Sequence, residues 1–179
     1  MKIDINLPQT IDQYDNRKFL SINNLACYEG TPQEKREMWG DGPWVNEPDY
    51  EKFSYKDYEG FILRNPSMGF LRGYLILQKN LTEEEQDNID IHGGITYYEK
   101  KEEGTYIIGF DCGHYLDYMP AREYIERRLC EYLPQSKEVA EKSLELYKEI
   151  KNPDSYRDIE YVKSQLRSLV DQIKSLSLK

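Results

Sequence analysis

The middle third of the chain contains four apolar runs separated by turn residues, and this pattern constrains the fold most. Between Tyr58 and Leu77, the runs EGFILRN and FLRGYLILQ lie on either side of a turn rich in Asn, Pro, Ser and Gly. Ile91–Lys100 and Thr105–Cys112 crowd β-branched and aromatic residues around the charged turn KKEEG. We expect two strand pairs, the second an antiparallel hairpin, with Gly73 marking a bulge or a close approach by another segment.

The last third of the chain has helical periodicity. Two helices are predicted, over Tyr118–Tyr132 and Ser136–Ile150, and a final helix starts near Asp154 or Ser155 and runs toward Leu176. Apolar residues in the final helix fall three and four apart and form one stripe: Ile159, Val162, Leu166, Leu169, Val170 and Ile173. Such a stripe most often packs on a sheet, but it could also pair two copies, so a homodimer through this helix stays open.

The first 57 residues are rich in turns. Asn16–Ala26 is compatible with a short strand or a short helix. Thr31–Met38 predicts a short helix that ends at Gly40, with Thr31 as N-cap and a glutamate three residues on. Lys79–Asp90 is acidic and polar, which indicates a solvated connection or one helical turn.

Both tryptophans lie among glycines and prolines between Trp39 and Phe53. A tryptophan left in water forfeits a large gain from burial, so we expect an ordered loop and not a linker. Trp39 and Trp44 are expected to hold this loop against the main sheet. The alternative is that they form an aromatic wall of a ligand site.

The length of 179 residues is sufficient for one core and too short for two independent domains. We expect a single α+β domain in which a small antiparallel sheet (58–117) follows a turn-rich region (1–57). A helical region (118–179) packs against the sheet.

Charge and composition exclude several classes of function. A formal charge of −9 argues against phosphate-driven binding to nucleic acid. The chain has no apolar run of about 18 residues, which predicts no membrane span, and its first residues do not resemble a secretory signal. Cys27, Cys112 and Cys130 are odd in number and lack CxxC spacing, so we expect reduced thiols in a cytoplasmic protein.

Both histidines lie between Ile89 and Asp117. Asp111, His114 and Asp117 are three residues apart, and their side chains could face one point if Asp111 ends a strand and a helical turn follows. With His92 they would offer two imidazoles and two carboxylates, a set that suits zinc, manganese or iron. The alternative is a set of structural hydrogen bonds at a strand-to-helix junction, and we assign neither a metal nor another cofactor.

Other candidate positions surround these residues. His92-Gly93-Gly94 resembles a loop in which glycines let backbone N–H groups approach an anion, although it precedes a predicted strand and not a helix. Cys112 with a histidine could form a thiolate–imidazolium pair, or be a buried, inert thiol. Arg64 and Arg72 could bind a phosphate or carboxylate, or pair with the many acidic side chains; for Arg72 we favour the second interpretation.

Several stretches, taken together, resemble one known family. WGDGPWVNEPD, ILRNPSMGFLRGYLIL, IDIHGGITY, GFDCGHYLD and YRDIEYVKSQLRSLVDQI occur in this order and cover most of the chain from Trp39 onward. They resemble a widespread family of uncharacterised bacteriophage and prophage proteins with the motifs GPWxxEPD, RNPxxGxxCGYVGVP, DVHGGLTF, GFDCAHxxD and YRDxxYVxxExxxLAxQL. No activity is assigned to that family, so the resemblance implies a phage origin and a pocket, and no reaction.

The family's recurring polar positions correspond to Arg64, Asn65, His92, Thr96, Asp111, His114 and Asp117. This chain departs from the family where Leu71-Arg72 replaces a frequent cysteine, where LILQKN replaces VGVP, and where Gly113 replaces alanine. Any role of that cysteine is therefore in doubt here.

Our leading hypothesis is a phage-encoded accessory protein that acts in the host cytoplasm against host defence. It would bind a nucleotide-like small molecule or a host defence protein. In the first case Arg64 would contact a phosphate, His92 and Gly93 an anion, and Tyr74 or Trp44 would stack on a base. One alternative is a metal-assisted hydrolase that uses the two histidines with Asp111 and Asp117. A second alternative is an antagonist that binds proteins through its acidic surface. No catalytic residue is assigned.

Overall fold

The computed structural model describes residues 11–14, 17–22, 25–101, 104–122 and 155–176, with the separate positions 138, 139, 141, 142 and 145. The strands are β1 (Ile11–Tyr14), β2 (Arg17–Ile22), β3 (Leu25–Glu29), β4 (Tyr50–Tyr55), β5 (Tyr58–Arg64), β6 (Leu71–Leu77), β7 (Tyr97–Lys100) and β8 (Tyr106–Asp111). The described α-helices are α1 (Pro32–Trp39), α2 (Glu83–Asp87) and α3 (Ile159–Leu176), and Pro43–Val45 forms a 3₁₀ turn. The predicted α+β class is confirmed.

Two antiparallel sheets form, one of three strands in the order β1-β2-β3 and one of five in the order β4-β5-β6-β8-β7. The larger sheet is covered on both faces, which explains the nearly continuous apolar runs of its central strands. On one face, Ile62 and Leu75 pack with the apolar stripe of α3. On the other face, Phe61 and Tyr74 pack with Cys27 of β3.

The two predicted strand pairs are present, and both are antiparallel. β5 pairs with β6 around the turn at Asn65, and β7 pairs with β8. Gly73 does not form a bulge, because it pairs regularly with Phe110 of β8. The close approach expected at this glycine is made by the ring of Phe110, which would lie 2.6 Å from a Cβ at this position. β7 begins at Tyr97, later than the predicted Ile91, because a tight turn precedes it.

The first region contains more strand than its sequence indicated. Asn16–Ala26 spans β2 and the start of β3, and the segment expected to be a loop through Phe53 becomes β4 from Tyr50 onward. Trp39 and Trp44 are buried as expected, but in a separate cluster with Tyr28, Tyr118 and Tyr156, away from the core of the main sheet.

The three described helices agree with their sequence signals. α1 has the predicted capping box at Thr31 and ends at Gly40, and α2 is the short helical piece within Lys79–Asp90. α3 begins at Ile159, later than predicted, because Asp158 caps it: the N–H of Tyr161 donates to Asp158 Oδ1 at 2.7 Å.

The apolar stripe of α3 is used within the chain. Val162, Leu166, Leu169, Val170 and Ile173 are fully buried against the sheet, so the face that suggested a homodimer is already covered. The predicted helices over Tyr118–Tyr132 and Ser136–Ile150 lie outside the described residues, apart from 118–122 and the five separate positions. Among the described helices, none is both long and apolar enough to cross a membrane.

Candidate functional site

Asp117 is the centre of a polar cluster just after β8. It lies in a turn, where its backbone N–H donates to the carbonyl of His114 at 2.9 Å. The side chain is only 2% exposed. Oδ2 lies 2.7 Å from His92 Nε2 and accepts the backbone N–H of His114 at 3.1 Å, while Oδ1 accepts Arg157 Nε at 3.1 Å. One buried carboxylate therefore joins three separate segments of the chain.

His92 reaches this carboxylate from the tight turn before β7. The turn requires glycine, because Gly93 has a φ of +66°, in the left-handed region. Two side chains of α3 hold the histidine in place: Gln165 Oε1 accepts its backbone N–H at 3.0 Å, and the Tyr161 hydroxyl lies 2.9 Å from Nδ1. Both ring nitrogens of His92 thus have partners, Asp117 on one side and Tyr161 on the other.

His114 packs directly over Gly93. A Cβ at Gly93 would lie 1.9 Å from Cε1 and 2.0 Å from Nε2 of the His114 ring. The rings of His92 and His114 have centroids 5.1 Å apart. His114 Nδ1 is buried and, among the described residues, has no hydrogen-bond partner. It does lie 3.3 Å from Asp117 Oδ2, but the two atoms are not aligned for a hydrogen bond.

The carboxyl of Asp117 is ionised at neutral pH. Burial alone would raise its pKa, but hydrogen bonds from His92, from the His114 backbone and from Arg157 outweigh burial and hold the pKa below its usual range. The stabilisation is complete above the unfolded-state pKa of about 3.9 and is lost as the pH falls through the lower folded-state pKa. The cluster therefore holds one anion beside two imidazoles.

This arrangement fits a divalent metal ion. His92 Nε2, His114 Nδ1 and a carboxylate oxygen of Asp117 all lie within 4.8 Å of one another. Ligand atoms on a tetrahedral zinc ion lie about 3.3 Å apart, since zinc–nitrogen bonds measure about 2.0–2.1 Å. Two imidazoles and one carboxylate also suit iron(II) or manganese. With a metal on Nε2, His92 would carry its proton on Nδ1 and donate it to Tyr161, the outer contact that metal-binding histidines usually make.

Gly93→Ala is expected to weaken metal binding at this cluster by about 10- to 100-fold, a range typical of damage to the surroundings of a metal ligand. The added methyl group would occupy the position of the His114 ring, and the left-handed φ would also be strained. Isothermal titration calorimetry with Zn²⁺ measures the effect. Gly94→Ala is the matched control: its φ is also positive, but its Cβ meets nothing within 4 Å. Equal losses in both variants would assign the effect to backbone strain and contradict the packing explanation.

Three other predicted site residues make hydrogen bonds only to backbone groups in the described structure. Asp111 ends β8, and its Oδ1 accepts the N–H of Gly113 at 3.0 Å. Asn65 Oδ1 accepts two N–H groups of its own turn. Thr96 is exposed, and its N–H donates to a carbonyl of β8. Of the four side chains considered as metal ligands, three converge and Asp111 does not join them.

Arg64 belongs to a different, buried network. Its side chain is 0% exposed, and its three nitrogens make five hydrogen bonds within the protein. The acceptors are Asp49 Oδ1 (2.5 Å), the Gly69 carbonyl (2.8 Å), the Tyr156 hydroxyl (3.0 Å), Glu47 Oε2 (3.1 Å) and the Pro48 carbonyl (3.5 Å). The guanidinium has no N–H group left for the phosphate of the sequence-based hypothesis, so we leave Arg64 out of the proposed site.

A cleft of about 450 Å³ borders this network, between α1 and the start of β4. The buried Lys35 lines it and donates to the Glu47 carbonyl at 2.5 Å and to Asp49 Oδ1 at 3.1 Å. Its charged amine is therefore already paired, and neither histidine lines the cleft. The cleft is distinct from the cluster around Asp117.

The two rings expected to stack on a base are part of the core. Trp44 is 4% exposed and stacks on Tyr118, with centroids 5.2 Å apart. Tyr74 is 3% exposed and stacks on Phe61 at 5.1 Å. Neither ring has a face open to a ligand.

Cys112 is a buried, neutral thiol. It is 1% exposed, and burial raises its pKa well above the usual range, with a further increase from the nearby Asp117 and Asp111 carboxylates. A reactive thiolate requires a lowered pKa, so the inert interpretation of this cysteine is the appropriate one.

α3 contributes two side chains to the cluster that were not predicted from the sequence, Tyr161 and Gln165. Tyr161 and Gln165 are four residues apart and therefore share one side of the helix. They lie next to Val162 and Leu166 of the buried stripe, which places them at the border of the buried face of the helix. Polar residues at helical spacing beside an apolar stripe were the signal that could have identified them.

No protein-family model, no curated protein and no solved structure matches this chain. The function of the cluster must therefore be argued from its own atoms.

Proposed function

We propose that this protein binds a divalent transition-metal ion through His92, His114 and Asp117, and through that ion an anionic small molecule. The observation that supports the proposal most is the convergence of three metal-binding atoms within 4.8 Å. One of them is a buried imidazole nitrogen that no described residue hydrogen-bonds. A buried polar atom left unpaired costs about 1–3 kcal/mol. A metal ion on His114 Nδ1 would remove that cost.

The surroundings of the three residues also support metal binding. Asp117 is already ionised, so binding need not displace a proton from it. Arg157 holds the carboxylate by Oδ1, which leaves Oδ2 directed toward the two imidazoles. Ligands held in place before the metal arrives lose less conformational entropy when it binds.

The resemblance to phage and prophage proteins supports a biological setting for this proposal. A protein of this kind would act in the host cytoplasm and sequester a nucleotide-like molecule on which host defence depends. The bound metal ion would take the place that the sequence-based hypothesis gave to Arg64.

Metal-assisted hydrolysis is the second candidate. Catalytic zinc sites typically have three protein ligands and keep a fourth position for water, and three ligands converge here. A metal ion held by His92, His114 and Asp117 would supply a bound water of lowered pKa as the nucleophile for ester hydrolysis, with an acid and an alcohol as products. Asp111 points to its own backbone, so no second carboxylate of the predicted set is available as a base, which favours binding without turnover.

Removing one imidazole tests the site. His114→Ala is expected to abolish metal binding at micromolar zinc, whereas the unchanged protein takes up one ion per chain. The protein is purified without an affinity tag, treated with chelator and titrated with Zn²⁺, Mn²⁺ and Fe²⁺, and the bound metal is measured by elemental analysis. Asp57→Asn is a control, because that carboxylate is 93% exposed and lies outside the cluster.

Three results would decide between the candidates. A fully folded protein that takes up none of the three metals would contradict the proposal. Uptake that survives both His114→Ala and His92→Ala would place the metal elsewhere. A metal-loaded protein that releases product from model phosphate or carboxylate esters would make it a hydrolase and not a binding protein.

A further inference from the structure

We propose that the anionic ligand of this site is a phosphate ester that carries a flat aromatic group; this inference rests on the metal site proposed above. Arg157 binds the phosphate together with the metal ion. Tyr115 and Leu116 contact the aromatic group.

Arg157 lies beside the cluster with unused donors. Its Nε donates to Asp117 Oδ1 at 3.1 Å, and its guanidinium lies over the Tyr161 ring, 4.8 Å from the centroid. The side chain is 30% exposed. Within the described part of the chain, neither Nη group has a hydrogen-bond partner, in contrast to the fully engaged guanidinium of Arg64.

The number of oxygens favours phosphate over carboxylate. A guanidinium presents parallel N–H groups that match two oxygens of one ligand. A phosphate monoester has three terminal oxygens, so it can give one to the metal ion and two to Arg157. A carboxylate has only two oxygens, so it cannot bind the metal ion with one oxygen and Arg157 with two others.

The local charge also favours an anion with two negative charges. Asp117 balances Arg157, and the imidazoles of His92 and His114 bind metal in their neutral form. The divalent ion then leaves the cluster net positive within a chain whose formal charge is −9. A doubly charged phosphate ester would neutralise it.

Two exposed apolar side chains border the same site. Tyr115 and Leu116 are 67% and 69% exposed, and they occupy the turn between the ligands His114 and Asp117. A ring bound through its phosphate at the metal would lie next to this turn. Aromatic side chains stack on bases in many nucleotide and single-strand binding proteins, and Tyr115 offers the free face that Trp44 and Tyr74 lack.

Three related probes separate the two contacts. The zinc-loaded full chain is titrated with adenosine 5′-monophosphate, ribose 5-phosphate and adenosine, and Kd is measured by calorimetry. We expect the monophosphate to bind at least about 10-fold more tightly than either of the others, since each lacks one of the two contacts.

The variants test each contact separately. Arg157→Gln is expected to lower the affinity for both phosphate-bearing ligands by about 10-fold or more and to leave the affinity for adenosine unchanged. Arg157→Lys is expected to recover part of this loss, because lysine keeps the positive charge but lacks the two parallel N–H groups of the guanidinium. Tyr115→Ala is expected to weaken only the adenine-bearing ligands. Circular dichroism confirms that each variant is folded.

Zinc content, measured on the same samples, separates this inference from the proposed function. A zinc-loaded protein that binds none of the three probes, or an Arg157→Gln variant that binds both phosphates as before, overturns the inference and leaves the metal site intact. A folded protein that takes up none of Zn²⁺, Mn²⁺ and Fe²⁺ overturns the proposed function and the inference together.

Discussion

Arg64→Met is expected to destabilise the protein by about 3–5 kcal/mol, the typical result of removing one member of a buried charge network. The arginine is fully buried, and its loss leaves the carboxylates of Asp49 and Glu47 in the interior without their main partner. Lys35 still contacts Asp49, but within the described part of the chain the Glu47 carboxylate keeps only the Tyr156 hydroxyl and the N–H of Ile159. Equilibrium unfolding in urea, monitored by tryptophan fluorescence, gives the change in the free energy of unfolding.

Arg36→Met is the matched control for this substitution. Arg36 also pairs with an aspartate, Asp41 at 2.6 Å, but the two side chains are 52% and 81% exposed. Exposed pairs contribute about 0–1 kcal/mol, so this variant should unfold almost as the unchanged protein does. A loss below about 1 kcal/mol for Arg64→Met would show that methionine packing compensates for the network, as it does in some buried ion clusters.

Asp117→Asn is expected to lower the affinity for Zn²⁺ by more than about 100-fold, because changes to outer contacts alone cost about 10- to 100-fold. The substitution keeps the size of the side chain but removes the charge that two imidazoles and Arg157 surround. It also removes the only carboxylate that the described structure places in the metal-binding group. Competition with a fluorescent zinc chelator extends the measurement to tight binding.

Asp111→Asn provides a demanding control, since Asp111 lies on the same segment and was an equal candidate by sequence. Its Oδ1 accepts the N–H of Gly113, and an amide oxygen can accept the same bond. Zinc affinity should therefore stay within about threefold of the unchanged protein, a difference below 1 kcal/mol. If both variants lost affinity equally, the site would include Asp111 and the geometry described above would be wrong.

The sequence contains enough information for the sheet and the final helix, because both leave local patterns of apolar residues. The nearly continuous apolar runs of β5, β6 and β8 mark strands buried on both faces, and the three-and-four spacing of α3 marks a helix with one buried face. β4 was missed because only Phe53 of its six residues is buried, so YEKFSY has neither a continuous apolar run nor an alternation of apolar and polar residues, despite its aromatic residues. An edge strand with one buried side chain cannot be recognised from its own residues alone.

The candidate site was predictable only in part, for a similar reason. His114 and Asp117 are three residues apart and meet in one turn, which sequence spacing indicates. The direction of Asp111 depends on a backbone hydrogen bond that spacing does not reveal. Arg64 was undecided, because its partners Asp49 and Tyr156 lie 15 and 92 residues away and only the fold shows that they are near.

The turn that holds Tyr115 and Leu116 can change at these two positions without cost to the fold. Its two ends are fixed by Asp117 and His114, while the two side chains between them project into solvent and contribute little to packing. Substitutions at these two positions would leave the folding energy almost unchanged. Under the proposed function, the choice of ligand could therefore change through these two positions alone, while the rest of the fold stays as it is.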